Sequence, residues 1–244
     1  MIVQKDLPVI KEDITTGMIL IGSDFHYPFQ DPLAVKAFLD RAEGLQPSHI
    51  VLNGDLLDFY RLSRFSKGEG RNPREEIEKV REMLQTLRGL CPESKIYYPI
   101  GNHETRLEKY VYDKAPEIAC IMDNFYEVLN CKDLEVQGCS KVIFNNEFVC
   151  KHGQLLGKKS GLSAIKELEN SYTNGATGHT HRLAKFITRK AEKKYIWLET
   201  GCLCSLKPEY MLDPDWQQGF AEVMFRNGKL HKADVFEIEE GVIL

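Results

Sequence analysis

A chain of 244 residues that is 43% hydrophobic and 28% charged has the composition of a soluble globular protein, and we expect one domain over residues 1–244. A net charge of −4 does not advertise a nucleic-acid binder, and seven cysteines with no C-x-x-C pair suit neither a disulfide framework nor a zinc ribbon. The first ten residues lack a secretion signal, and apolar runs such as "MILI" and "HIVL" fall far short of the roughly 20 residues of a membrane span, so a cytoplasmic protein without membrane contact is expected.

The first half of the chain alternates strand, loop and helix. "MILIGS" is a short apolar strand ending in "DFHYPFQDP", and "LAVKAFLDRAEG" carries helical spacing that Gly44 is expected to close. "HIVLN" ends in "GDLLD" and precedes the charged helix "PREEIEKVREMLQTLRGL", with Pro73 at its start. "KIYYPI" ends in "GNHE" and leads into the helical "TRLEKYVYDKAPEI". Three apolar strands each followed by a helix predict parallel β-α-β units, in which a site lies at the carboxyl ends of the strands. The second half, with "KVIFNNEFVCKHG", "KYIWLET" and a strong hairpin signal at Asn227-Gly228, predicts an antiparallel or mixed sheet.

Five polar clusters end these strands: Asp24 with His26, Asp55 with Asp58, Asn102 with His103, His152, and His179 with His181. Five of the seven histidines fall inside them, and only His49 and His231 lie outside. Scattered structural histidines have no reason to track such strand-terminal, glycine-bounded contexts. In an extended strand, residues i and i+2 share a face, so D-x-H at 24 and 26 and H-x-H at 179 and 181 are expected to reach an ion together. Carboxylate, imidazole and amide donors without thiolate suit manganese, iron or zinc.

The order D-x-H, G-D-x-x-D, G-N-H-E, H, G-H-x-H, met here by "DFH", "GDLLD", "GNHE", "KHG" and "GHTH", resembles the calcineurin-like metallophosphoesterase superfamily over residues 24–181. The resemblance implies an α/β fold, a four-layer α-β-β-α sandwich of mixed sheets with flanking helices. It implies two divalent cations, manganese foremost with iron, zinc or nickel as alternatives. Asp24, His26 and His181 would hold one cation, Asn102, His152 and His179 the other, and Asp55 would bridge them. Hydroxide held between the cations would attack phosphorus, His103 would protonate the departing alkoxide, and Asp58 would orient His103.

Two departures narrow the resemblance. Phe59 follows Asp58 where the protein-phosphatase branch carries arginine, and His152-Gly153-Gln154 stands where many small relatives have H-G-H. Arg61, Arg64, Arg106 or Arg182 is expected to supply a phosphate-binding cation. "HGQLLGKKS" lacks the spacing of a nucleotide P-loop. Cys202 and Cys204 read as small buried hydrophobes, Trp216 as a core aromatic, and Glu104 as a residue opening a helix. Basic runs at 61–74 and 182–194 favour a phosphodiester substrate, with single-stranded or duplex DNA among the candidates. Hydrolysis of a small phosphomonoester or cyclic nucleotide is the alternative, and a non-catalytic scaffold of the same fold the third reading. The sequence names no protein partner.

Overall fold

In the strands at 17–22, 49–52 and 95–99 alternate residues point to opposite faces, and both faces are apolar. The computed structural model describes residues 7–63, 72–121, 125–208 and 213–244. Strand β1 (Val9–Glu12) is followed by β2 (Gly17–Gly22), helix α1 (Pro32–Leu45), β3 (His49–Leu52), α2 (Pro73–Leu90), β4 (Lys95–Pro99), α3 (Thr105–Lys114), the single turn α4 (Phe125–Val128) and β5 (Val136–Cys139). Then come β6 (Lys141–Phe144), β7 (Phe148–Cys150), α5 (Leu162–Ser171), β8 (Asn174–Thr177), β9 (Leu183–Lys190), β10 (Lys193–Thr200), β11 (Gly219–Arg226), β12 (Lys229–Glu239) and β13 (Val242–Ile243).

The strands form two mixed sheets. One runs β13-β12-β11-β2-β3-β4-β5, with β2 through β5 parallel, as the β-α-β reading requires, and β11 antiparallel to β2 and β12. The other runs β1-β6-β7-β8-β10-β9. Helices α1 and α2 cover the first sheet and α5 the second, giving four layers with three apolar seams. Leu20, Ile50, Leu52, Ile96 and Tyr98 pack under α1 and α2. Their neighbours Ile19, Ile21, Val51 and Tyr97 point the other way, against Val142, Phe144, Phe148 and Leu198 of the second sheet. Trp197 seals α5 to the outer face of that sheet with Ala164 and Leu168. Each such side chain contributes about 1.5–3 kcal/mol by leaving water.

Local signals fix the boundaries. Asp31 caps α1 by accepting from the N–H groups of Leu33 and Ala34, and Asn72 caps α2 ahead of Pro73. Helix α1 does not stop at Gly44: it runs one residue further, and Gln46, at φ 45°, closes it. Asn227 and Gly228, both at positive φ, turn β11 into β12. The six described cysteines are free and buried. Among the described residues no helix is long and apolar enough to cross a membrane.

Candidate metal centre

The five polar clusters leave the carboxyl ends of β2, β3, β4, β7 and β8 and meet above the seam between the sheets. Asp24, His26, Asp55, His179 and His181 all have φ between 52° and 69°, so they sit in left-handed loop conformations and not in extended strand. Strand alternation, expected to put each pair on one face, therefore does not apply to them. Asp24 and His26 do converge, because two left-handed residues fold the loop back on itself, but His179 and His181 face different neighbours.

On one side, His26 Nε2 and His181 Nε2 approach to 2.9 Å, with Asp24 Oδ1 3.2 Å from His181 Nε2 and 3.7 Å from His26 Nε2. On the other, His152 Nε2 lies 3.2 Å from Asp55 Oδ2 and 3.1 Å from Asn102 Oδ1, and the His179 ring packs edge-on against His152. Asp55 is common to both sides, since its Oδ2 is also 3.8 Å from His26 Nε2 and from His103 Nε2. Asp24–His26–His181 and Asp55–His152–His179 each bring three donor atoms within 4.8 Å of one another.

The orientation of each imidazole has a visible cause. Asn53 O lies 2.9 Å from His152 Nδ1 and Asp58 Oδ2 lies 3.2 Å from His26 Nδ1, so these nitrogens donate outward and both Nε2 atoms point into the cluster. Cys204 Sγ lies 3.8 Å from His181 Nδ1, so Cys204 is buried as its sequence suggests and also touches the site. Burial alone would raise the Asp24 and Asp55 carboxyls, but facing histidines override it and hold both far below the usual carboxylate range. Burial would lower His152, yet Asp55 and Asp24 lift it to about 9. Ring nitrogens crowded around ionised carboxylates create a demand for positive charge, which protons on His26 and His152 meet in part and which divalent cations fit.

Glycines permit this crowding. Gly54 has φ 90°, and a Cβ there would lie 2.6 Å from His152 Nδ1. A Cβ on Gly101 would collide with the Asp55 carboxylate.

His103 and Asp58 sit at the rim. Asp58 O lies 3.0 Å and Asp58 Oδ2 3.3 Å from His103 Nδ1, so Asp58 contacts both His103 and His26. Arg106, the second residue of α3, donates through Nη1 to Asp58 O and Oδ1 at 2.7 and 3.1 Å, while its Nη2 lies 2.9 Å from His103 Nε2. A guanidinium thus reaches Asp58 from α3 although Phe59, not arginine, follows it in sequence. Arg182 lines the cleft beside His181, but Asp215 takes it in a two-pronged pair at 2.9 Å and Gly157 O accepts from its third nitrogen. Arg61 lies in the single turn Tyr60–Leu62, and Arg64 lies outside the described residues.

Two residues have roles the sequence did not show. Glu104 opens α3 at its N-cap position, as expected, but its side chain does not cap the helix: fully buried, the carboxylate accepts from the N–H groups of Gly101, Asp55 and Leu57 at 2.8, 3.1 and 3.3 Å and from Tyr98 Oη at 2.8 Å, tying the "GDLLD" and "GNHE" loops together. Trp216 is not a core aromatic. It is half-buried, with its ring edge-on to His181 at 4.1 Å between centroids.

Recesses flank the centre. One of about 820 Å³ is lined by Leu156, Lys158, Leu162, Arg182 and Trp216, another of about 360 Å³ by Thr105, Lys109, Tyr112 and Gln154, and His179 borders both. A separate cavity of about 980 Å³ lies beside β5, lined by residues such as Arg88, Glu93 and Tyr126, and holds none of the motif residues.

A four-layer sandwich whose strand ends gather two adjoining groups of carboxylate and imidazole donors is the frame of a metal-dependent phosphoesterase. The chain belongs to the calcineurin-like phosphoesterase family, whose model matches residues 17–212. It is 29% identical over 225 residues to the gene 54 protein of Mycobacterium phage D29, covering 83% of this chain and 86% of that one. Among solved structures it is similar to vacuolar protein sorting 29 of Cryptosporidium parvum, with TM-score 0.52 and 16% identity over 95% of this chain and 96% of that chain. It is also similar to wild-type Vps29 of Entamoeba histolytica complexed with zinc, with TM-score 0.50 and 15% identity over 93% and 96%. These two likenesses are of fold.

Proposed function

We propose that this single-domain protein is a phosphodiesterase that works with two divalent cations, manganese foremost, in a reducing cytoplasmic setting suited to its free thiols. The carrying observation is that Asp24, His26, Asp55, Asn102, His152, His179 and His181, drawn from both sheets, meet with Asp55 at the centre. Asp24, His26 and His181 would hold one cation, Asn102, His152 and His179 the other, and Asp55 both. The cations, when bound, supply Lewis acidity at phosphorus.

The chain's own residues supply the rest. Asp58 and Asn53 O hold the imidazoles in the tautomer that presents Nε2. Glu104 fixes the backbone that carries Asp55 and Asn102. A phosphate oxygen is a stronger acceptor for a guanidinium than a neutral imidazole is, so substrate would draw Arg106 away from His103 Nε2; that nitrogen would then take a proton from solvent and pass it to the departing oxygen, with Nδ1–H held on Asp58 throughout. A monoester needs room on one side of phosphorus only. Recesses on both sides of His179 favour a diester, and cations in each recess favour one with further charge, such as DNA.

The test is manganese-supplemented hydrolysis of mono- and bis-nitrophenyl phosphate beside single-stranded DNA, duplex DNA and RNA. We expect turnover of the diester, lost in Asp55→Asn together with metal uptake. Metal-loaded protein that turns over none of these would defeat the reading, and turnover of the monoester alone would replace it with a phosphatase.

A further inference from the structure

The basic run at 182–194 divides in the structure. Arg182 is paired with Asp215 and Lys185 with Asp234, which leaves Arg189, Lys190, Lys193 and Lys194 at the tip of the β9–β10 hairpin, with Glu192 in its two-residue turn. Strand β10 pairs with β8 only at Trp197–Glu199, and Asn174 Oδ1 accepts from Ile196 N, so residues 188–195 form a two-stranded ribbon that runs past the end of β8.

The register of that ribbon is electrostatically unfavourable. Lys190 is directly opposite Lys193, and Arg189 is directly opposite Lys194. Like charges facing one another across antiparallel strands destabilise the pairing. Alternation puts each pair on its own face: Lys190 and Lys193 share the face of Phe186, Tyr195 and Trp197, while Arg189 and Lys194 share that of Ile187 and Ile196. Lys190 Nζ stands 3.7 Å over the ring of Tyr172 and Lys193 Nζ 5.1 Å over that of Tyr195, which holds both ammoniums at the rim of their face. Protection of the exposed edge of β9 against strand addition accounts for Arg189 and Lys190. It does not account for cations placed opposite them on β10, where acids would protect as well and stabilise the pairing.

We propose that the tip of the β9–β10 ribbon is a DNA-binding arm that enters the major groove of duplex DNA, its two basic faces meeting the phosphates of the two walls. A two-stranded ribbon, with strands about 4.8 Å apart, fits a groove about 12 Å wide. Bound phosphates also relieve the repulsion that the register builds in. Eight residues of strand at about 3.3 Å each put the tip about 26 Å from Arg182, so the arm is separate from the metal centre and small esters do not reach it.

The test measures binding of a labelled 30-base-pair duplex by fluorescence anisotropy in EDTA, where no turnover occurs, at 50 and 200 mM salt. Four phosphate contacts predict a loss on the order of 100-fold across that range in the wild-type protein. Lys190→Glu/Lys193→Glu and Arg189→Glu/Lys194→Glu should each weaken binding at least tenfold and flatten the salt dependence, with bis-nitrophenyl phosphate turnover unchanged. Lys190→Glu alone turns a like pair into an opposite pair, so it should melt at or above the wild-type temperature while binding DNA less well. No duplex binding at 50 mM salt, binding indifferent to both double reversals, or single strands bound as tightly as duplex would each overturn the arm. Because binding is read without turnover, failure of the arm and failure of the hydrolytic reading are separate results.

Discussion

His103, Arg106 and Glu104 show how closely placed side chains divide the work. His103 Nε2 is 3.8 Å from the shared Asp55 oxygen and 2.9 Å from Arg106. Replacing His103 by alanine should therefore leave metal uptake intact and slow hydrolysis on the order of 100- to 10,000-fold, more for an alkyl than for a nitrophenyl leaving group. Metal analysis after dialysis, beside rates on the two esters, reads both effects, and equal losses on the two esters would remove His103 as the acid. Glu104 acts at one remove. With four donors aimed at one buried carboxylate, Glu104→Gln places an amide N–H₂ against them and leaves a buried donor unpaired, which costs about 1–3 kcal/mol. Thermal melts should show a fall of several degrees, and an unchanged melt would mean that other groups hold the two loops.

At the scale of elements, helix α2 meets the site through Glu76, whose Oε2 accepts from Phe59 N at 2.6 Å, just behind Asp58. Burial, helped by the nearby Asp58 charge, lifts its carboxyl from 4.5 to about 7. The folded state therefore holds this proton more tightly than the unfolded chain. The stability it contributes is complete below about pH 4.5 and is lost as pH rises through 7, up to about 3 kcal/mol. Denaturant titrations at pH 5, 6.5 and 8 should show a steeper decline for the wild-type protein than for Glu76→Gln, and parallel curves would refute the assignment. The loop after β4 is as exacting in a steric sense. Gly101→Ala drives a methyl into Asp55, so metal uptake and hydrolysis should fall together, whereas hydrolysis lost with uptake intact would mean the loop shifts without moving the carboxylate.

For the whole molecule, binding of cations to the folded state alone should add about 2.7 kcal/mol at a hundredfold excess over Kd, so a chelator should lower the melting temperature by several degrees. Asp55→Asn should be nearly blind to it. Much of this architecture was legible in the sequence, because β2, β3 and β4 are apolar on both faces and their polar residues are confined to the ends. Strand β1, half-exposed along its length, carries no comparable pattern, and β9 reads as a basic run because only one of its faces packs. The grouping of motif residues came from the family resemblance that their order along the chain carries. Glu104 stayed hidden because its acceptor role depends on backbone 49 residues earlier, and Trp216 because its contact with His181 is made only in the fold.

The motif residues are split between the sheets. Asp24, His26, Asp55 and Asn102 hang from the seven-stranded sheet, while His152, His179 and His181 hang from the six-stranded one. Ions seated there would act as a rivet through two plates, adding to the apolar seam and to buried hydrogen bonds such as Asn53 to Lys151 and Ser23 to Thr200. Amide deuterium uptake near the ends of β3 and β8, strands that share no ladder, should then slow in concert when the protein is loaded.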